Sequence, residues 1–347
     1  MESFDKLVRA EFDPETTYLN TASTGLPPAR TAAALRDVVA ATAAGQQGDW
    51  FADVEACRAA FARIAGVPAD RVATGASVAV YCGLIASSLP TGAEVLTAEG
   101  DFSSLVNPFH VRGDLKVRAV PLERIAESVR PSTALVALSA VQSADGRIAD
   151  LAAVREAARA HGARTLVDVS QSAGWLPLTA GDFDLVVSVG FKWLLGPRGV
   201  AFLVVPEDLG GLTPVFAGWV AGERPWDSTY GPVGELARSA RRFDESPAVF
   251  SYAGARHSLA LVEELGVAAV GAHDVALADR FRAGVRSLGH EPVPAPGSAI
   301  VSVPGLGHRQ PGLVRAGIVV SDRAGHLRVA FHLYNTAADV DRLLDAL

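Results

Sequence analysis

A lysine stands where the sequence otherwise asks for core. The stretch Val187–Val205 reads VSVGFKWLLGPRGVAFLVV, two apolar runs with Lys192 between them. Burial disfavours an ammonium and lowers its pKa, so the neutral amine becomes available as nucleophile and base. Schiff-base chemistry with a carbonyl needs such an amine. The plain alternative is a strand-end lysine whose head reaches out to water. Asp168 lies 24 residues earlier, in TLVDVSQSAG, with Gln171 just after it. An acid inside an apolar strand is costly unless it is paired. It could pair with a ligand or close a structural ion pair.

Three further places carry suitable chemistry. Thr74-Gly75-Ala76-Ser77 follows an apolar run and opens a helical pattern. A glycine turn entering a helix offers free N–H groups and the positive dipole end, which suit a phosphate; Ser77 could equally be a simple N-cap. Phe102, in EGDFSS, falls at a strand end, where it could cover a planar ring or only pack. Arg328, in HLRVAFHLYN, could hold a carboxylate bidentately or pair at the surface. Together these residues match the needs of one cofactor, pyridoxal 5′-phosphate. It requires a lysine for its aldehyde and an acid to keep its ring nitrogen protonated. It also requires a phosphate cup, a stacking aromatic and an arginine for the carboxylate of an amino-acid substrate.

The elements that must position these residues follow from the apolar pattern. Strands are expected over Arg71–Thr74, Glu94–Thr97, Lys116–Val120, Ala134–Ser139, Thr165–Val169, Leu185–Val189 and Val200–Val205. The runs VALSAV, TLVDVS and DLVVSV alternate little, as in strands covered on both faces. Helices are expected over Ser77–Ser88 and Ala149–Ala160, with short ones near Ser103 and Glu123. The order is that of an α/β fold with a mostly parallel sheet, in which ligands gather at the carboxyl ends of strands. Residues 206–248 read as long ordered loops, and a helical pattern starts near Tyr252. Strands Ala299–Val303 and Leu327–His332 and a helix over Ala337–Leu347 complete a smaller α+β unit. The expected division is an N-terminal arm (1–40), a large domain (41–248) and a small C-terminal domain (249–347).

Composition narrows the function. The net charge is −7 with both signs mixed along the chain, so the basic stripe that nucleic acid requires is missing. No apolar run reaches the roughly 18–20 residues of a membrane span, and MESFDKLVRAEFD does not read as a signal peptide. The two cysteines, Cys57 and Cys82, fall in helical patterns away from any Cys or His at metal spacing. A reduced, cytoplasmic protein without a metal site is expected.

The segments YLNTASTGLPP, TGAS, EGDFSS, VDVSQSAG, GFKWLLGPRG, RRFDESP and LRVAFHLYNTAADVDRLL span nearly the whole chain. With them the sequence resembles the class V aminotransferase family of fold-type I pyridoxal-phosphate enzymes, its cysteine desulfurase and isopenicillin N epimerase-like members in particular. The resemblance implies a large domain with a mostly parallel seven-stranded sheet and a homodimer with its active site at the interface. It makes Lys192 the Schiff-base lysine and Asp168 the partner of the pyridine nitrogen. It puts Gln171 at the ring hydroxyl, Phe102 on the ring face, and Gly75, Ala76 and Ser77 at the phosphate, with Ser188 and Ser246 as further phosphate candidates. Ser246 would reach the partner subunit's cofactor. Asn20, Ala22 and Arg328 would border the substrate.

Two departures bear on the reaction. Desulfurases carry His just before the lysine and Ser three before it; here these are Phe191 and Val189. Desulfurases also need a mobile cysteine ahead of the carboxylate arginine, and residues 305–327 contain none. All remaining reactions begin with Cα deprotonation by the freed lysine. The expected outcome is β-elimination of the C–S lyase kind, with transamination as the alternative. Epimerisation, cleavage of a kynurenine-like substrate and a non-catalytic binding role on the same fold complete the set.

Overall fold

Continuous apolar runs, rather than alternating ones, build the central sheet. The computed structural model describes residues 2–46 and 48–347. Its strands are β1 (Thr17–Tyr18), β2 (Val72–Gly75), β3 (Glu94–Ala98), β4 (Lys116–Val120), β5 (Thr133–Ser139), β6 (Arg164–Asp168), β7 (Leu185–Val189), β8 (Ala201–Val204), β9 (Ile300–Val303), β10 (Ile318–Val319), β11 (Ser321–Arg323) and β12 (His326–Ala330). Seven form one sheet in the order β2-β8-β7-β6-β5-β3-β4. β3 to β7 pair in parallel, while β8 runs antiparallel to both β7 and β2. This is the expected α/β architecture, with the strands where the apolar runs place them.

Helices cover both faces, so successive residues of one strand feed opposite core layers. Leu166, Leu185 and Val187 pack into one layer; Val167 and Val186 pack into the other. The helix Trp50–Ala65 is capped by Asp49, whose side chain accepts the Ala52 N–H, and closed by Gly66 at φ 67°. Leu151–His161 uses the same devices, with Asp150 and Gly162.

β11-β12-β9 form a second, antiparallel sheet against the helix Val267–Ser287. The N-terminal arm joins the two sheets. β1 pairs in parallel with β10, and Asn20 bridges to Ala330. A few residues on, the Gly25 N–H donates to the Phe191 carbonyl (2.9 Å), on the turn after β7. Among the described residues no helix is long and apolar enough to cross a membrane.

One buried ion pair braces the start of the large sheet. Arg58 Nη2 meets Asp244 Oδ2 at 2.6 Å, and Asp244 Oδ1 accepts the Thr74 N–H at 2.8 Å. Removing Asp244 leaves the buried Arg58 with only the half-exposed Glu55 as an acid partner and strips the Thr74 N–H of its acceptor. Asp244→Ala should therefore cost about 3–5 kcal/mol, read as a fall in the midpoint of chemical denaturation.

Candidate active site

Asp168 is the last residue of β6, and Lys192 follows the end of β7, its parallel neighbour. Both line a cavity of about 450 Å³ at these strand ends, a size that suits a cofactor with a small substrate. The turn carrying Lys192 is tightly specified. The Gly196 N–H donates to the Gly190 carbonyl (2.8 Å) and the Leu195 N–H to the Lys192 carbonyl (3.1 Å). Leu195 is held at φ 59°, a conformation unfavourable for a non-glycine residue. Gly25 packs so closely that a methyl group there would lie 2.1 Å from the Lys192 carbonyl oxygen. His332, fully buried, spans from Asp274 Oδ2 (2.8 Å) to the Trp193 carbonyl (3.1 Å) and backs the turn from the small sheet.

Lys192 is 7% exposed. Burial lowers its pKa to about 8, opposed by Asp168 and aided by Arg328, Arg198 and Arg323. Burial raises the pKa of Asp168, while the Ser170 hydroxyl, the Lys192 charge and the Ser170 N–H pull it back; that N–H donates to Asp168 Oδ1 at 2.8 Å. Phe102 caps the helix Ser103–Val111 and is 45% exposed. Its ring centroid lies 5.0 Å from Lys192 Nζ. Ser77 lines the cavity and caps the helix Val78–Ser88 by accepting the Val80 N–H.

Arg328, 1% exposed, donates from Nη1 to the Ser143 carbonyl (2.5 Å) and from Nη2 to the Ser23 hydroxyl (2.6 Å). Its Nε is buried with no partner among the described residues. Burial and the nearby Arg323 lower its pKa to about 9. Asn20 Oδ1 accepts from the Ser321 (2.6 Å) and Ser23 (2.8 Å) hydroxyls, and Ala22 lines the wall. Lys192, Asp168, Phe102, Ser77, Ala22 and Arg328 are thus brought together.

Six expected residues, Asn20, Gly75, Ala76, Gln171, Ser188 and Ser246, do not line the cavity. Gln171 is fully engaged: Nε2 donates to the Ala22 carbonyl (2.9 Å) and Ser143 Oγ (3.0 Å), and Oε1 accepts from Trp193 Nε1 (2.9 Å). Its amide therefore braces the wall, with Ser143 at the surface in its place. Ser188 points away, because the next residue, Val189, faces the cavity and strand side chains alternate. Gly75 and Ala76 lie behind Ser77. A Cβ at Gly75 would meet Tyr81 Oη at 2.7 Å and Glu245 Oε1 at 2.8 Å, and the Ala76 N–H is directed to the Glu245 carboxylate. Gly75 is glycine for packing. Ser246 is exposed and outside its own chain's cavity.

Several wall residues escaped the sequence reading. Ser23, Ser104, Ser143, Ser170, Arg198 and Arg323 all line the cavity. Strand-end position marks Ser143 and Ser170, but nothing local marks Ser23 or Arg323. Arg198 belongs to the quoted Gly-Pro-Arg-Gly turn; its guanidinium lies over the Phe191 ring at 4.2 Å. Among the described residues no cluster of His, Cys, Asp and Glu could hold a metal ion.

Comparison with known proteins bears on the family and the fold. The family model "Aminotransferase class-V" matches residues 17–343. An uncharacterized aminotransferase of Bacillus subtilis, YcbU, is 27% identical over 84% of this chain and 82% of its own. Isopenicillin N epimerase of Streptomyces clavuligerus is 28% identical over 98% of this chain and 96% of its own. Kynureninase of Deinococcus radiodurans is 28% identical over 79% and 72%. Among solved structures, a cystine C–S lyase bound to its product cysteine persulfide superposes with a TM-score of 0.85 at 24% identity, covering 95% of this chain and 97% of that one. The Escherichia coli cysteine desulfurase CsdA also gives 0.85, at 19% identity over 99% and 97%. Both show the same fold.

The chain has three lysines, Lys6, Lys116 and Lys192, so the amine can be followed cleanly. Labelling of Lys192 by an amine reagent, read by peptide mass spectrometry across pH, should be half-maximal near pH 8. Gly25→Ala should displace the turn and move that midpoint, since the new methyl cannot be accommodated beside the Lys192 carbonyl.

Proposed function

The chain belongs to the class V aminotransferase family, and from that premise we propose that it removes the Cα proton of a bound amino acid with Lys192 and expels a substituent from Cβ. The observation that carries the reading is the desolvated Lys192 amine beside Asp168, in a cavity whose remaining charged groups are all arginines. The residues fit pyridoxal 5′-phosphate. They offer an amine for its aldehyde, a carboxylate for its ring nitrogen, the Phe102 face, and helix starts at Ser77 and beside Ser104 for its phosphate. When bound, that cofactor supplies an electron sink for the pair left at Cα.

The chain's own groups supply the rest. Asp168, in its anionic form, keeps a proton on the ring nitrogen. Lys192, neutral in a useful fraction near pH 8, takes the Cα proton, and that proton balances the anion lost from Cβ. Arg328 and Ser23 hold the substrate carboxylate. A group leaving Cβ departs as an anion, and the cationic wall favours that departure. Cys57 and Cys82 are buried in helices with their thiol pKa values raised by burial, and neither lines the cavity, which argues against persulfide formation. Epimerisation calls for a second proton carrier, and no His, Cys or Tyr lines the cavity among the described residues. Transamination uses the same lysine and stays the second reading, favoured by the aminotransferase named among the relatives. The reading includes a homodimer in which the exposed Ser246 of each chain serves the other's phosphate.

Purified protein supplied with pyridoxal phosphate should turn yellow, and borohydride should fix the cofactor on the peptide containing Lys192. Lys192→Ala should abolish the adduct; a colourless wild type that ignores the cofactor would refute the reading. An amino-acid panel that includes kynurenine separates the reactions. Keto acid plus ammonia without an acceptor means elimination, and strict dependence on a second keto acid means transamination.

A further inference from the structure

The cavity carries more positive charge than the proposed reaction uses. Lys192, Arg198, Arg323 and Arg328 line it against one carboxylate, Asp168. Among the described residues none of the four cations forms an ion pair, although most other buried or half-buried arginine clusters in the chain are matched by acids. Arg328 accounts for one substrate carboxylate. Arg323 and Arg198 have no assigned anion.

Their placement is built. Arg323 Nη2 donates to Ser23 Oγ at 3.0 Å, the same hydroxyl that takes Arg328 Nη2 at 2.6 Å, and its Nη1 is fixed by the Asp322 carbonyl at 2.8 Å. One serine thus holds two guanidinium groups side by side. Like charges so close repel: after burial, Arg323 is the largest influence lowering the Arg328 pKa. Arg198 is fixed by the Phe191 ring and by Thr24 Oγ1, to which its Nη2 donates at 2.9 Å. The three arginines are anchored on the N-terminal arm and on the loops facing it. None of them hydrogen-bonds at Ser77 or Ser104, the helix starts suited to the phosphate. The phosphate has those helix starts as its place, so the arginines are free for another anion.

Resting on the reading of Lys192 given above, we infer that Arg323, with Arg198, forms a second anion subsite, and that the substrate is an amino acid whose side chain carries its own acidic group. Arg328 takes the α-carboxylate; Arg323 and Arg198 take the distal acid. Both are exposed, Arg323 at the end of β11 and Arg198 on the turn after β7, so the distal group is selected at the cavity mouth.

The test is equilibrium binding to the yellow holoprotein, followed by the cofactor's spectral change, with two isosteric pairs. One pair is L-aspartate and L-asparagine; the other is S-carboxymethyl-L-cysteine and S-carbamoylmethyl-L-cysteine. The acid of at least one pair should bind about tenfold or more tightly than its amide, as for a charge-assisted contact. Arg323→Gln should bring that ratio close to one, Arg323→Lys should restore part of it, and Arg198→Gln should lower it. Equal binding of acid and amide in both pairs overturns the subsite while leaving the Lys192 reading intact. So does Arg323→Gln weakening acid and amide equally, which would make Arg323 a second α-carboxylate ligand, or loosening the cofactor instead. If no yellow species forms, the reading of Lys192 fails and the subsite falls with it.

Discussion

The site depends on the desolvation of one amine. A lysine in water stays charged far above neutral pH; burial, with the nearby arginines adding to it, brings the Lys192 pKa to about 8. That burial would be ruinous with nothing to offset it. Asp168 at the end of the adjacent parallel strand returns part of the lost solvation, and its own burial is offset in turn by Ser170. The two groups are therefore a matched pair set by sheet register. Moving β6 by one residue would turn Asp168 to the opposite face and leave Lys192 without its carboxylate.

Around this pair the chain closes a ring of hydrogen bonds. Arg328 holds Ser143, Ser143 accepts from Gln171, Gln171 accepts from the Trp193 indole, and the Trp193 carbonyl meets His332, near the end of Arg328's own strand. The carboxylate-binding arginine and the lysine turn are thus parts of one connected assembly. The N-terminal arm completes it: Ala22 takes the other Gln171 proton, and Gly25 packs on the Lys192 backbone.

Much of this was legible in the sequence, for physical reasons. Strands buried on both faces are apolar without alternation, so all seven could be found, and a Lys and an Asp ending two of them are conspicuous. Ser77 and Phe102 were legible because strand ends feeding helices are constrained positions. What escaped depends on facts that a single strand does not carry. Ser188 was lost to side-chain alternation, which needs the register to decide. The setting of Gln171 is not readable locally, because its amide bonds to Ala22, Ser143 and Trp193, which are distant in sequence. Gly75 looked like a phosphate turn, but the neighbouring Tyr81 and Glu245 side chains explain it. Arg323 could not be seen, since its meeting with Ser23 spans 300 positions.

The ring of bonds has an architectural consequence. The acid and base belong to β6 and the turn after β7, whereas the wall that meets the substrate belongs to the arm at 20–24 and the segment 321–328. These are separate stretches of chain, joined at the site by side-chain bonds, close packing and the main-chain bond from Gly25 to Phe191. The engine and its gatekeeper are therefore encoded apart. Editing those two short segments can redraw which molecule is admitted without replacing the two residues that make the cavity reactive.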